Sequence, residues 1–97
     1  MSYQTKKQSI GYILMSYFQL GFTAKQLGEV FGTALDSIRD RTDITNQETM
    51  IYFEGVGRTL QLDGELLEKG VDQFYSIFDL ITVEEAGEFY SVMYQLI

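Results

Sequence analysis

Four residue types are missing from this 97-residue chain: cysteine, histidine, proline and tryptophan. Without cysteine there is no disulfide framework, no zinc cluster and no thiol nucleophile. Without histidine the commonest general base and the commonest metal ligand are gone. Positive charge is scarce as well. Seven Lys and Arg stand against fourteen Asp and Glu, a net charge of −7. No Pro-rich or Ser-rich stretch occurs, and 45% of the residues are hydrophobic, a composition suited to one globular domain with a single modest core.

A long hydrophobic run is also lacking. Lys6 and Lys7 ahead of the stretch Ile10 to Leu20 imitate a secretory leader. Ser9, Gly11, Ser16 and Gln19 interrupt that stretch, and no small-x-small cleavage site follows. It is too short and too polar to span a bilayer. The expected location is the cytoplasm, with no membrane partner.

What is present is helical periodicity, punctuated by caps. Thr5 with Gln8 is a capping-box pattern that opens a first helix near Lys6. Its apolar face is Ile10, Ile13, Leu14, Tyr17 and Phe18. Gly21 ends it, with Phe22 placed to pack back as in a Schellman motif. Thr23 and Gln26 open a second helix over 24–31, Gly32 breaks it, and Thr33 with Asp36 caps a third that runs to about Arg41. Thr45 with Glu48 opens a fourth that reaches about Leu62. Asp63-Gly64 makes a break or bend, and Leu67, Val71, Phe74, Phe78 and Ile81 mark a strongly amphipathic fifth helix. Thr82 with Glu85 caps the last, whose inward residues are Ala86, Phe89, Tyr90, Met93, Leu96 and Ile97. The expected fold is all-α, a single domain of five or six helices. Residues 1–44 form its three-helix part and 45–97 its acidic helical part.

Residues 23–41 read as two short helices meeting at a tight turn. Gly28 leaves room for a close crossing, Gly32 takes the left-handed turn, and Leu27, Phe31 and Ile38 form a small core between the two. In this stretch the chain resembles the helix-turn-helix of phage-repressor-type DNA-binding proteins. The resemblance implies a dimeric transcriptional regulator that binds double-stranded DNA. Leu35, Asp36 and Ser37 would face base edges, with Thr33 at the start of the reading helix. Lys25, Gln26, Arg39 and Arg41 would hold the phosphate backbone.

Charge points in two directions. Residues 1–41 carry a net +2 and residues 42–97 a net −9. The first value favours the DNA reading. The second favours another class of function, an acidic interaction module or phage-type inhibitor that grips a basic partner protein. The aromatic and apolar residues of the last two helices, Phe74, Tyr75, Phe78, Phe89, Tyr90, Met93, Tyr94 and Ile97, are the expected dimer or partner interface. Phe74-Tyr75-Ser76-Ile77-Phe78 and Phe89-Tyr90-Ser91-Val92-Met93 echo each other at a spacing of 15, which two amphipathic helices reach by similar packing. Enzyme chemistry finds no footing. Glu84, Glu85 and Glu88 have no accompanying base or nucleophile, Asp63-Gly64-Glu65 lacks calcium-loop spacing, and Gly55-x-Gly57 lacks the third glycine of a dinucleotide loop. No catalytic residue, metal or cofactor is expected.

Overall fold

Five helices form where capping patterns and apolar spacing coincide: α1 (Lys6–Gln19), α2 (Ala24–Ile38), α3 (Asn46–Thr59), α4 (Gly64–Leu80) and α5 (Val83–Leu96). The computed structural model describes residues 3–96, and among these there is no β-strand, only an isolated antiparallel bridge between Gln4 and Ile44. Thr5, Thr23 and Thr45 each close a reciprocal capping box with Gln8, Gln26 and Glu48. Thr82 and Glu85 exchange the same two bonds at the head of α5. α4 instead starts on Asp63, whose carboxylate accepts from the N–H groups of Glu65 and Leu66. α1 ends as its sequence implies. The Phe22 N–H bonds the Tyr17 carbonyl, the Gly21 N–H bonds that of Phe18, and the Phe22 ring lies 5.0 Å from that of Tyr17.

The expected break at Gly32 does not form. α2 is one helix of 15 residues, and the two short helices read from the sequence are merged in it. Leu27, Val30, Phe31, Ala34 and Ile38 are all buried and keep one apolar stripe running past the glycine. An exposed glycine in mid-helix costs only about 1 kcal/mol relative to alanine, far less than that stripe returns by burial. Thr33 therefore sits inside the helix rather than capping one, and its carbonyl accepts the Ser37 hydroxyl at 2.8 Å. The chain turns later, at Arg39, which takes a positive φ of 54°.

A repetition that the local patterns do not announce organises the fold. α1 and α3 are both 14 residues long, and the landmarks of the first helix and of the turn after it recur 40 positions on, although α4, with 17 residues, outruns the 15 of α2. The N-caps are Thr5 and Thr45, the C-caps Leu20 and Leu60, and the positive-φ residues after them Gly21 and Gln61. Equivalent residues also touch each other. Gln4 and Ile44 exchange both backbone hydrogen bonds, at 2.8 and 2.9 Å, and the Ser9 and Thr49 hydroxyls meet at 2.9 Å. Reciprocal contact between equivalent positions is the mark of a two-fold axis. The chain is thus two α-hairpins related by an approximate two-fold, with α2 and α4 each packed on both α1 and α3 and in no substantial contact with each other.

Side chains break the symmetry where the core fills. Tyr17 stacks on Phe53 at 4.4 Å and donates its hydroxyl to the Phe53 carbonyl at 2.7 Å. Its counterpart is Gly57, where a Cβ would lie 2.8 Å from the Tyr17 hydroxyl, so one tyrosine occupies the room of two side chains. α5 stands outside the repeat and covers α1. A Cβ on Gly11 would fall 1.9 Å from the Ala86 carbonyl oxygen, so glycine is what permits that approach. Ile51, the α3 counterpart of Gly11, stays 56% exposed. Among the described residues no helix is long and apolar enough to cross a membrane.

Candidate interaction surface

The residues expected to read DNA all lie on α2 or just after it. Lys25 and Gln26 are in its first turn, where the Gln26 side chain is already engaged by the Thr23 N–H. Leu35 is half-buried against the core, and Asp36 and Ser37 are exposed on the final turn. They sit at the end of a long helix and not at the start of a reading one. Arg41 pairs with Glu48 and bonds the Tyr52 hydroxyl at 3.2 Å. Of the cations in this set, Lys25 and Arg39 form no ion pair among the described residues.

The expected aromatic interface divides. Phe74 and Met93 are buried in the chain's own core. Phe78 packs edge-on against Tyr12 at 4.9 Å, and Tyr90 lies 5.1 Å from Phe31. These are core contacts, because α5 and α4 spend their apolar faces on α1, α2 and α3. Tyr75 and Tyr94 remain outside, 49% and 65% exposed, and Phe89 meets the exposed Phe18 at 6.2 Å. Leu96, expected to face inward, is 72% exposed. Ile97 lies outside the described residues.

The outer face of α4 collects the acidic half's charge. Glu65, Glu68, Asp72, Tyr75 and Asp79 are all exposed and follow one another at steps of 3, 4, 3 and 4, which places them in one stripe. The stripe is opposite in phase to the apolar set through Phe74 and Ile77 that anchors the helix. Among the described residues two ion pairs form, Arg41–Glu48 and Arg58–Glu54, so none of the four stripe carboxylates is neutralised by one. Composition alone gives the number of these acids and not their phase. The same spacing test that found the apolar face, applied to Asp and Glu, finds the stripe.

Other features offer less chemistry. A shallow groove of about 500 Å³ is lined by Lys7, Tyr90, Ser91, Tyr94 and Gln95, with the Lys7 ammonium 6.0 Å from the Tyr90 ring centre. Burial, reinforced by Tyr94, pushes the Tyr90 phenol above its ordinary range, so it stays protonated. Burial does the same, more strongly, to Tyr17. Among the described residues no group of three or more acidic side chains converges to hold a metal ion. Comparison with known proteins finds no family model, no curated protein and no solved structure that matches this chain.

Proposed function

We propose that this protein is an acidic helical interaction module that binds a basic partner protein through the outer face of α4. The observation that carries the reading is the stripe itself, four carboxylates with no ion pair among the described residues, in phase around the half-exposed Tyr75. Carboxylates in a row select Lys- and Arg-rich surfaces and repel phosphate, and an exposed tyrosine adds contact area at small entropic cost. The alternative, a dimeric DNA-binding regulator, relied on a reading helix that starts after a turn at Gly32, and α2 runs straight through that position.

Titration of fluorescein-labelled nona-arginine, followed by anisotropy, tests the reading. Binding is expected at 0.1 M salt and is expected to be lost in Glu65→Gln/Glu68→Gln/Asp72→Asn/Asp79→Asn. A control variant, Glu29→Gln/Asp36→Asn/Asp40→Asn/Glu84→Gln, changes net charge by the same amount elsewhere and is expected to bind normally. Equal weakening in both variants would mean that the peptide follows net charge alone, and the α4 reading would fall. Labelled duplex DNA under the same conditions is expected to stay free; salt-sensitive binding of the duplex, lost in Lys25→Ala/Arg39→Ala, would revive the regulator.

A further inference from the structure

The approximate two-fold makes each position on α4 comparable with one on α2, and their outer faces are opposite in charge. Glu65 corresponds to Lys25, Lys69 to Glu29, and Asp79 to Arg39. All six are exposed. Between the charged ends, Glu68 and Asp72 correspond to Gly28 and Gly32, and Tyr75 to Leu35. Asp36, on the flank of the α2 face, corresponds to Ser76. The α4 face therefore carries an excess of acid, while the α2 stripe has a cation at each end, glycines at 28 and 32 and the half-buried Leu35 between them, with Glu29, Asp36 and Asp40 beside it.

We infer that the basic-ended face of α2 is the docking site for the α4 stripe of a second copy of this chain. This rests on the reading of α4 as an interaction surface and names a partner for it. Lys25, in the first turn of α2, and Arg39, at its C-cap, are 14 positions apart, as are Glu65 and Asp79 within α4, so each end cation can oppose an end carboxylate whether the helices run parallel or antiparallel. Gly32 has open space where a Cβ would be, which leaves the centre of the α2 face low enough for the Tyr75 ring to lie across it. Two copies at −7 each repel at long range. At physiological salt that field is screened beyond about 8 Å, whereas opposed charges in contact are much less affected. α2 and α4 flank the α1–α3 pair without substantial contact between them. A contact of α4 on one copy with α2 on the next is heterologous, and repeating it builds rings or open chains larger than a dimer.

Sedimentation velocity of the whole protein from 10 µM to 1 mM in 0.1 M salt tests this. The weight-average mass is expected to rise with concentration and to pass that of a dimer. Lys25→Glu/Arg39→Glu and Glu65→Lys/Asp79→Lys are each expected to sediment as monomers, with circular dichroism confirming the native helix content. Their equimolar mixture restores opposite charges at both kinds of contact and is expected to regain the association. A wild-type protein that stays monomeric at 1 mM overturns the inference. So does association that survives both reversals, which would run through another surface such as Val92 and Leu96 of α5, or a mixture that fails to recover. Nona-arginine binding by the monomeric Lys25→Glu/Arg39→Glu protein separates the cases. Peptide bound at α4 without self-association leaves the partner reading standing; neither one observed removes both.

Discussion

Gly32 shows how a single residue misleads when its neighbours are read locally. A glycine followed by Thr33 and, three residues on, by Asp36 matches the end of one helix and the cap of the next. The longer pattern disagrees, because Leu27, Val30, Phe31, Ala34 and Ile38 stay in helical phase across the glycine and all are buried. The competition is between a local conformational preference of about 1 kcal/mol and the burial of a whole stripe, and the stripe wins. Gly32→Ala should therefore stabilise the protein by about 1 kcal/mol, raising Tm by roughly 4–8 °C in thermal melts. A left-handed turn at Gly32 would give the opposite sign, since alanine is strained at positive φ.

At the scale of the helix, caps were the most legible part of the fold. Thr5, Thr23, Thr45 and Thr82 each begin a helix in the structure as in the sequence, because a capping box is complete within four residues. Two boxes carry a carboxylate whose charge the fold favours. Hydrogen bonds from Arg41, then from Thr45, hold the Glu48 carboxyl below the usual range, and those from Thr82 do the same for Glu85. A carboxyl lowered in the folded state stabilises it above the ordinary carboxylate pKa of about 4.3, and that stability is lost as pH falls through the lowered value. Glu48→Gln/Glu85→Gln keeps the capping geometry but removes the titration. Its unfolding midpoint in urea is expected to fall less than that of the wild type between pH 5 and pH 3. What helix-level reading did not reveal is which helix meets which. The close approach of Gly11 to Ala86 joins residues 75 positions apart, and nothing in either local pattern points to the other.

The whole molecule was legible in class and not in symmetry. Periodicity sufficed for an all-α fold, yet the 15-residue echo in the aromatic helices drew notice while the 40-residue repeat did not. The reason is physical. The two hairpins share the caps, length and turn of their first helices, which few residues specify, and differ in the length of the second and in the core, where one side chain fills space for two. Their junction is polar. Gln4 is buried and bonds Asn46 and Thr49, and Thr49 also meets Ser9. Thr49→Val is nearly isosteric but leaves Gln4 and Ser9 each one partner short. Removing a buried partner of this kind costs about 1–3 kcal/mol, to be read as a lower urea midpoint with an unchanged m-value.

The bridge between Gln4 and Ile44 also bears on the chain during synthesis. The residues of α1 leave the ribosome before residues 44–49, which hold the backbone and side-chain partners of Gln4 and the side-chain partner of Ser9. A nascent chain that has made α1 and α2 holds half of a mutual contact, with no stand-in for the other half on its own hairpin. Until residues 44–49 have emerged, the backbone and side chain of Gln4 and the hydroxyl of Ser9 are without their native partners.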